Sequence, residues 1–177
     1  MINLLSIVMM RKIIFFTTIC LLLFSNACSS GGAVDEATQN KDYEQLKVAM
    51  EKTTKERNED GSLKPENMTA MIQQTSQILK KYPGDNRTRD NCFHVAEILK
   101  VGKDFENAAK FYGRMIELFP KNDMVGNAQF QLAMMQYQKM NDKKGAMANF
   151  EAFIRDYPNH YASNVATQFL YELRNGE

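Results

Sequence analysis

Apolar residues recur at helical spacing along most of the chain after residue 41, and the stretches between them are short and polar. Tyr43, Leu46 and Met50 make one stripe over roughly 42–57, and Met68, Met71, Ile72, Thr75 and Ile78 make a second over 65–82, opened by Pro65 at a position helices tolerate. Two further pairs of stripes follow: Cys92, Val95, Ala96 and Leu99 with Ala108, Tyr112 and Met115, then Phe130, Ala133, Met134 and Tyr137 with Ala146, Phe150 and Phe153. The polar turns "VGKD" (Val101 to Asp104) and "MNDKK" (Met140 to Lys144) join the members of each pair. Each pair ends on an aromatic followed by proline, in "KKYPGD", "LFPKND" and "IRDYPNHY". Prolines 83, 120 and 158 lie 37 and 38 residues apart, and a fixed interval of this size is the signature of a solenoid of stacked units.

The residue types explain the repeat. Small residues facing each other across a hairpin, Ala96 with Ala108 and Ala133 with Ala146, let two helices approach to about 8–10 Å while aromatics fill the groove. Proline after each second helix cannot continue the hydrogen-bond ladder and pushes the preceding residue out of helical geometry. The first unit departs from the rule, with Met71 and Thr75 in place of the alanine and the aromatic, as terminal repeats often do. After Pro158, "YASNVATQFLYELRN" predicts a last helix covering the end of the stack through Val165, Phe169 and Leu173. The expected fold class is all-α: an antiparallel helical-hairpin solenoid of three hairpins plus a C-terminal capping helix, seven helices in all.

Phe130, Ala133, Met134, Tyr137, Ala146, Phe150, Phe153 and Pro158, and in the preceding unit Cys92, Val95, Ala96, Leu99, Ala108, Tyr112, Met115 and Pro120, fall in one register. In that register residues 42–174 resemble tetratricopeptide-repeat (TPR) proteins, most closely over 89–158. Cys92 stands where a bulky aromatic is usual, and Met134 where glycine is usual. The resemblance implies a non-catalytic scaffold whose first helices line a concave groove. By register the exposed side of those helices is expected to carry Asp90, Phe93, Glu97 and Lys100 in one unit and Gln131, Met135 and Gln138 in the next, with Phe93 and Met135 as apolar contacts for a partner.

The N-terminus changes the picture of where such a scaffold works. Arg11 and Lys12 precede the apolar run Ile13 to Phe24, and small residues follow in "SNAC", the order of a secretory signal peptide. The run is shorter than the roughly 20 residues that span a bilayer as a helix. Residues 1–10 add apolar residues before the charges, so Met9 or Met10 would make a more conventional start. "SNAC" followed by "SSGG" resembles a bacterial lipoprotein signal, which implies that 1–27 is removed and that Cys28 is acylated. Ser25 stands where that pattern expects leucine. Ser29, not aspartate, follows the cysteine, which by analogy favours the outer membrane over retention at the inner one. Residues 28–41, small and polar, read as a flexible tether, and 42–177 as the repeat domain. With the lipoprotein-like start, the chain looks most like short TPR lipoproteins of the bacterial envelope, among them BamD-like barrel-assembly components and TolA-binding periplasmic proteins.

Charge and candidate chemistry narrow the function by exclusion. With 22 Lys and Arg against 21 Asp and Glu, the chain lacks the basic excess of a nucleic-acid binder. Beyond Cys20 in the leader and Cys28, Cys92 stands alone, so no disulfide framework exists. His94 and His160 fall in different repeats with no metal-ligand spacing beside them. "ERNEDGSLKPEN" copies the opening of a calcium loop but places Asn67 where a bidentate acid is needed. No cofactor, metal or small-molecule substrate is expected. The expected activity is protein–protein interaction at the envelope, with the membrane engaged through Cys28. A permanent subunit of a larger complex is the alternative, and a divergent enzyme has no residue constellation behind it.

Overall fold

The computed structural model describes residues 35–120 and 122–176. The leader at 1–27, Cys28 and the first part of the tether lie outside the described residues. Seven helices follow in order: α1 Glu36–Lys55, α2 Pro65–Lys81, α3 Asn86–Val101, α4 Phe105–Leu118, α5 Asp123–Gln138, α6 Lys143–Asp156 and α7 Ser163–Asn175. From Asn40 on they form one compact unit in which each helix from α2 onward packs chiefly against its neighbours in sequence. The fold is the all-α helical-hairpin solenoid expected, with α1/α2, α3/α4 and α5/α6 as hairpins and α7 as the cap.

One boundary differs. Helix α1 begins at Glu36, upstream of Asp42, so residues 36–41 are helix and not tether. The cause is local: the Asp35 carboxylate accepts the Thr38 backbone N–H at 2.9 Å and its hydroxyl at 2.5 Å, satisfying donors that a helix start leaves open. Later helices start the same way. Asp85, Asn122 and Asp142 accept backbone N–H groups of Arg87, Met124 and Gly145 at 2.7, 2.9 and 2.9 Å.

The aromatic-proline stop is a repeated backbone device. Tyr82, Phe119 and Tyr157 adopt φ/ψ of −133/53°, −131/50° and −130/53°, outside the helical region, and each returns its N–H to the helix through Ile78, Met115 or Phe153. The following proline enforces this exit. The first and third stops are locked by a hydroxyl six residues on: Thr88 Oγ1 and Ser163 Oγ each donate to the stop carbonyl, of Tyr82 and Tyr157, at 2.7 Å. The aromatic also ties units together. Tyr157 OH reaches the carbonyls of Pro120 and Asn122 at 3.3 and 3.4 Å. Its ring lies where a Cβ on Gly126 would sit only 3.0 Å away, so a larger residue at this turn of α5 would require the tyrosine ring to shift by a few tenths of an ångström.

Ala96, Ala108, Ala133 and Ala146 are all fully buried, as close helix approach requires. The core divides at α5. Val125, Ala128, Leu132 and Met135 join the cluster built on α1–α4, whereas Ala133 joins Phe150, Phe153 and the inner face of α7. A helix buried on two sides is what stacking demands of an inner repeat. Phe130 packs on Phe153 and Phe150 with centroids 5.5 and 6.1 Å apart, and Phe169 stacks on Phe150 at 5.9 Å. The cap differs from expectation in one residue. Its inner face is Ala166, Leu170 and Leu173 with Phe169 beside them, and Val165 is 44% exposed. Because α7 starts at Ser163 and buries that residue, the i, i+3, i+7, i+10 stripe passes through 166 and turns Val165 outward.

Two outcomes follow. Ala146→Leu, which overfills the α5/α6 contact, should lower unfolding free energy in urea by about 1–3 kcal/mol. Asp42 accepts from Lys81 Nζ at 2.8 Å and from Tyr82 OH at 2.7 Å, and these bonds hold its carboxyl below the ordinary 3.8. A lowered folded value gives stability that is present above the unfolded value and is lost as pH falls through the folded one. The stability gap between the protein and Asp42→Asn should therefore be full at neutral pH and close progressively below 3.8 in urea titrations.

Candidate functional site

The first helices of the second and third hairpins, α3 and α5, are joined across the repeat boundary by side chains. Lys100 Nζ donates to Gln131 Oε1 at 3.0 Å and pairs with Glu97 Oε2 at 2.7 Å. Glu97 also accepts the hydroxyl of Tyr112 from α4. Burial first, then this carboxylate, holds the Tyr112 phenol above its ordinary value, so it remains a donor. The chain Tyr112–Glu97–Lys100–Gln131 thus fixes the α3 side chains against α4 at one end and α5 at the other.

Beside this chain opens a cleft of about 490 Å³. Its apolar wall comes from Phe105, Phe130, Met134 and Met135, and Lys100, Lys103 and Lys139 surround it. A smaller cleft of about 210 Å³, between Leu63, Ile98 and Val101, adjoins it through Val101, which is 65% exposed. Clefts of this kind are where an extended or helical peptide places side chains.

Of the expected groove residues, the structure brings Lys100, Gln131, Met135 and Gln138 to this one cleft, with Glu97 behind Lys100. Asp90 does not line it; its carboxylate is held by Arg89 at 2.7 Å. Phe93 does not line it either, being half-buried against the core with its ring 6.0 Å from that of Tyr112. Met135 requires a correction: it is 3% exposed, because it completes the inner stripe of α5 that packs on α3 and α4. It forms floor and not an exposed contact.

Sequence reasoning missed Val101, Lys103, Phe105 and Lys139, which come from the last residue of α3, the turn after it, the start of α4 and the residue after α5. One signal was available. Lys103 stands 38 residues before Asn141, one repeat interval, and both adopt positive φ, 63° and 53°. Asparagine tolerates that conformation; lysine is unusual there.

The other singled-out residues have ordinary places. His94 is exposed, and His160 Nδ1 accepts the Ala162 N–H at 3.2 Å while its ring meets Phe153 edge-on at 5.1 Å. Cys92 is fully buried, and burial pushes its thiol up to about 12. In the loop that resembles the opening of a calcium site, the Asp60 carboxylate turns onto the Ser62 backbone N–H at 2.9 Å and Arg57 bridges to Leu63. Among the described residues no three His, Cys, Asp or Glu side chains converge as a metal site, and no helix is long and apolar enough to cross a membrane.

Comparison with known families places this geometry in a class. Residues 127–160, which span the stretch from Phe130 to Pro158, match the family described as Tetratricopeptide repeat. The protein is an all-α helical-repeat solenoid, and one of its units, over 127–160, is similar to a tetratricopeptide repeat. No curated protein matches the chain.

The burial difference gives a direct check. Met135→Glu places an unpaired charge in the core and should cost several kcal/mol of unfolding free energy, in the range of about 3–5 kcal/mol for an uncompensated buried charge. Gln138→Glu, on an exposed position of the same helix, should change it by no more than about 0.5 kcal/mol. Chemical denaturation of both variants decides it.

Proposed function

We propose that the protein is a non-catalytic interaction scaffold tethered to the bacterial outer membrane through an acylated Cys28, where its repeat domain faces the periplasm and holds a protein partner during envelope or outer-membrane protein assembly. The observation that carries the interaction reading is the cleft beside the Lys100–Gln131 bridge, open and apolar at its floor, on the first helices of two successive hairpins. A surface assembled from two units serves a chain that crosses both, as peptides and helices do. The tetratricopeptide match at 127–160 supports the same mode of action. The location rests on the leader: Arg11 and Lys12, the apolar run Ile13 to Phe24, and small residues around Cys28. Lys100, Gln131 and Gln138 are the groove residues assigned to the partner, with Asp90, Phe93 and Glu97 on the adjoining stretch of α3.

Crosslinking in intact cells that express the tagged full-length protein, followed by capture and mass spectrometry, tests this reading with Cys28→Ala as the anchoring control. Barrel-assembly components recovered with the protein and lost in the control are the expected result. Recovery of peptidoglycan- or division-linked envelope proteins would favour a role in envelope maintenance of the TolA-binding kind. The same bystander proteins in both samples would overturn the scaffold reading.

A further inference from the structure

The cleft beside Lys103 carries more information than its shape. Its three charged lining residues are all cationic, Lys100, Lys103 and Lys139, and no carboxylate lines it. Lys100 is occupied by Glu97 and Gln131. Lys103 and Lys139 have no ion-pair or side-chain hydrogen-bond partner among the described residues, and the Gln131 amide nitrogen makes no protein hydrogen bond there either. Two free ammonium groups and a free amide thus sit at the rim, above a floor of Phe105, Phe130 and Met134.

The backbone gives an independent second observation. Position 103 is held at φ 63° and its repeat equivalent, Asn141, at 53°. The turn therefore needs the left-handed conformation, which asparagine or glycine meets with less strain than lysine. The third unit follows that preference and the second does not. Lys103 thus holds its side chain on the rim of the cleft from a backbone position that asparagine or glycine would fill with less strain.

We propose that this cleft binds an acidic amphipathic segment of the partner protein, with carboxylates against Lys103 and Lys139 and apolar side chains on Phe105, Phe130 and Met134. The proposal rests on the scaffold reading and adds the chemistry of what is bound. Opposite charge at a rim of this kind sets orientation and association rate, and an apolar floor supplies the slow dissociation.

The test uses the full-length protein and labelled amphipathic peptides in fluorescence anisotropy, one built of Asp and Leu and the other of Lys and Leu. The acidic peptide should bind, the basic one should not, and affinity should fall as NaCl is raised. Lys103→Asn combined with Lys139→Gln should weaken the acidic peptide by about tenfold or more. Lys103→Asn alone should raise the melting temperature while weakening binding, an opposite movement that loss of structure cannot produce. Equal binding of both peptides, or binding indifferent to the lysine variants, overturns the proposal. So does preference for phosphatidylglycerol vesicles over the acidic peptide, since the rim would then serve a lipid surface. A photo-crosslinker at Gln138 in cells separates the two levels. Partner capture there without acidic-peptide binding rejects the charge assignment and keeps the scaffold, whereas failure of both rejects the two together.

Discussion

The exit of each second helix at an aromatic-proline pair is the constraint on which the stack depends. Tyr82, Phe119 and Tyr157 take nearly the same backbone angles, so the chain leaves each hairpin in the same direction and the next helix begins at an equivalent place. A small, repeated rotation per unit generates a solenoid. The side chains reinforce it. Thr88 and Ser163 bond the stop carbonyls behind them, and Tyr157 reaches back to the preceding stop at Pro120. The proline limits the backbone, and these bonds select one geometry within that limit.

That geometry gives α5 two buried faces, and the site follows from it. One face completes the core of the preceding units and the other opens the core of the last hairpin and α7. The strip left between them toward α3 carries Gln131 and Gln138, and Lys100 from the neighbouring unit bonds across to the first of these. Polar residues at this seam are satisfied by one another where they meet and unpaired where the cleft opens. The cleft floor is the edge of the core itself, Phe130 and Met134, so binding there would extend a packed interior and not create a new one.

The two ends of the stack are solved differently. At the N-terminal end Tyr43 bonds Thr88, meets the Tyr82 ring at a tilt with centroids 5.7 Å apart and receives the Arg87 guanidinium over its ring at 4.3 Å, so polar and aromatic contacts hold α1 where the alanine rule of later hairpins is absent. At the C-terminal end α7 inserts Phe169 between Phe150 and Tyr137, at 5.9 and 5.8 Å. Its outer side presents Gln168 and Tyr171 to solvent.

Periodicity determined the helices, their pairing, the small residues at the hairpin contacts and the stops, because each of these is set by neighbours three, four or one repeat apart in the chain. The match at 127–160 falls on the third hairpin. What it could not determine was which side of a doubly buried helix faces water. Met135 and Val165 were both placed on the wrong side, since an apolar residue between two stripes is assigned only when the flanking helices are in position. The cleft belongs to the same category. Lys103, Phe105, Met134 and Lys139 come from a turn, a helix start and a helix end that the linear pattern treats as separate features. Only the stacking of the second and third hairpins brings their side chains around one volume, because proximity across a repeat boundary is a property of helix packing and not of spacing along the chain.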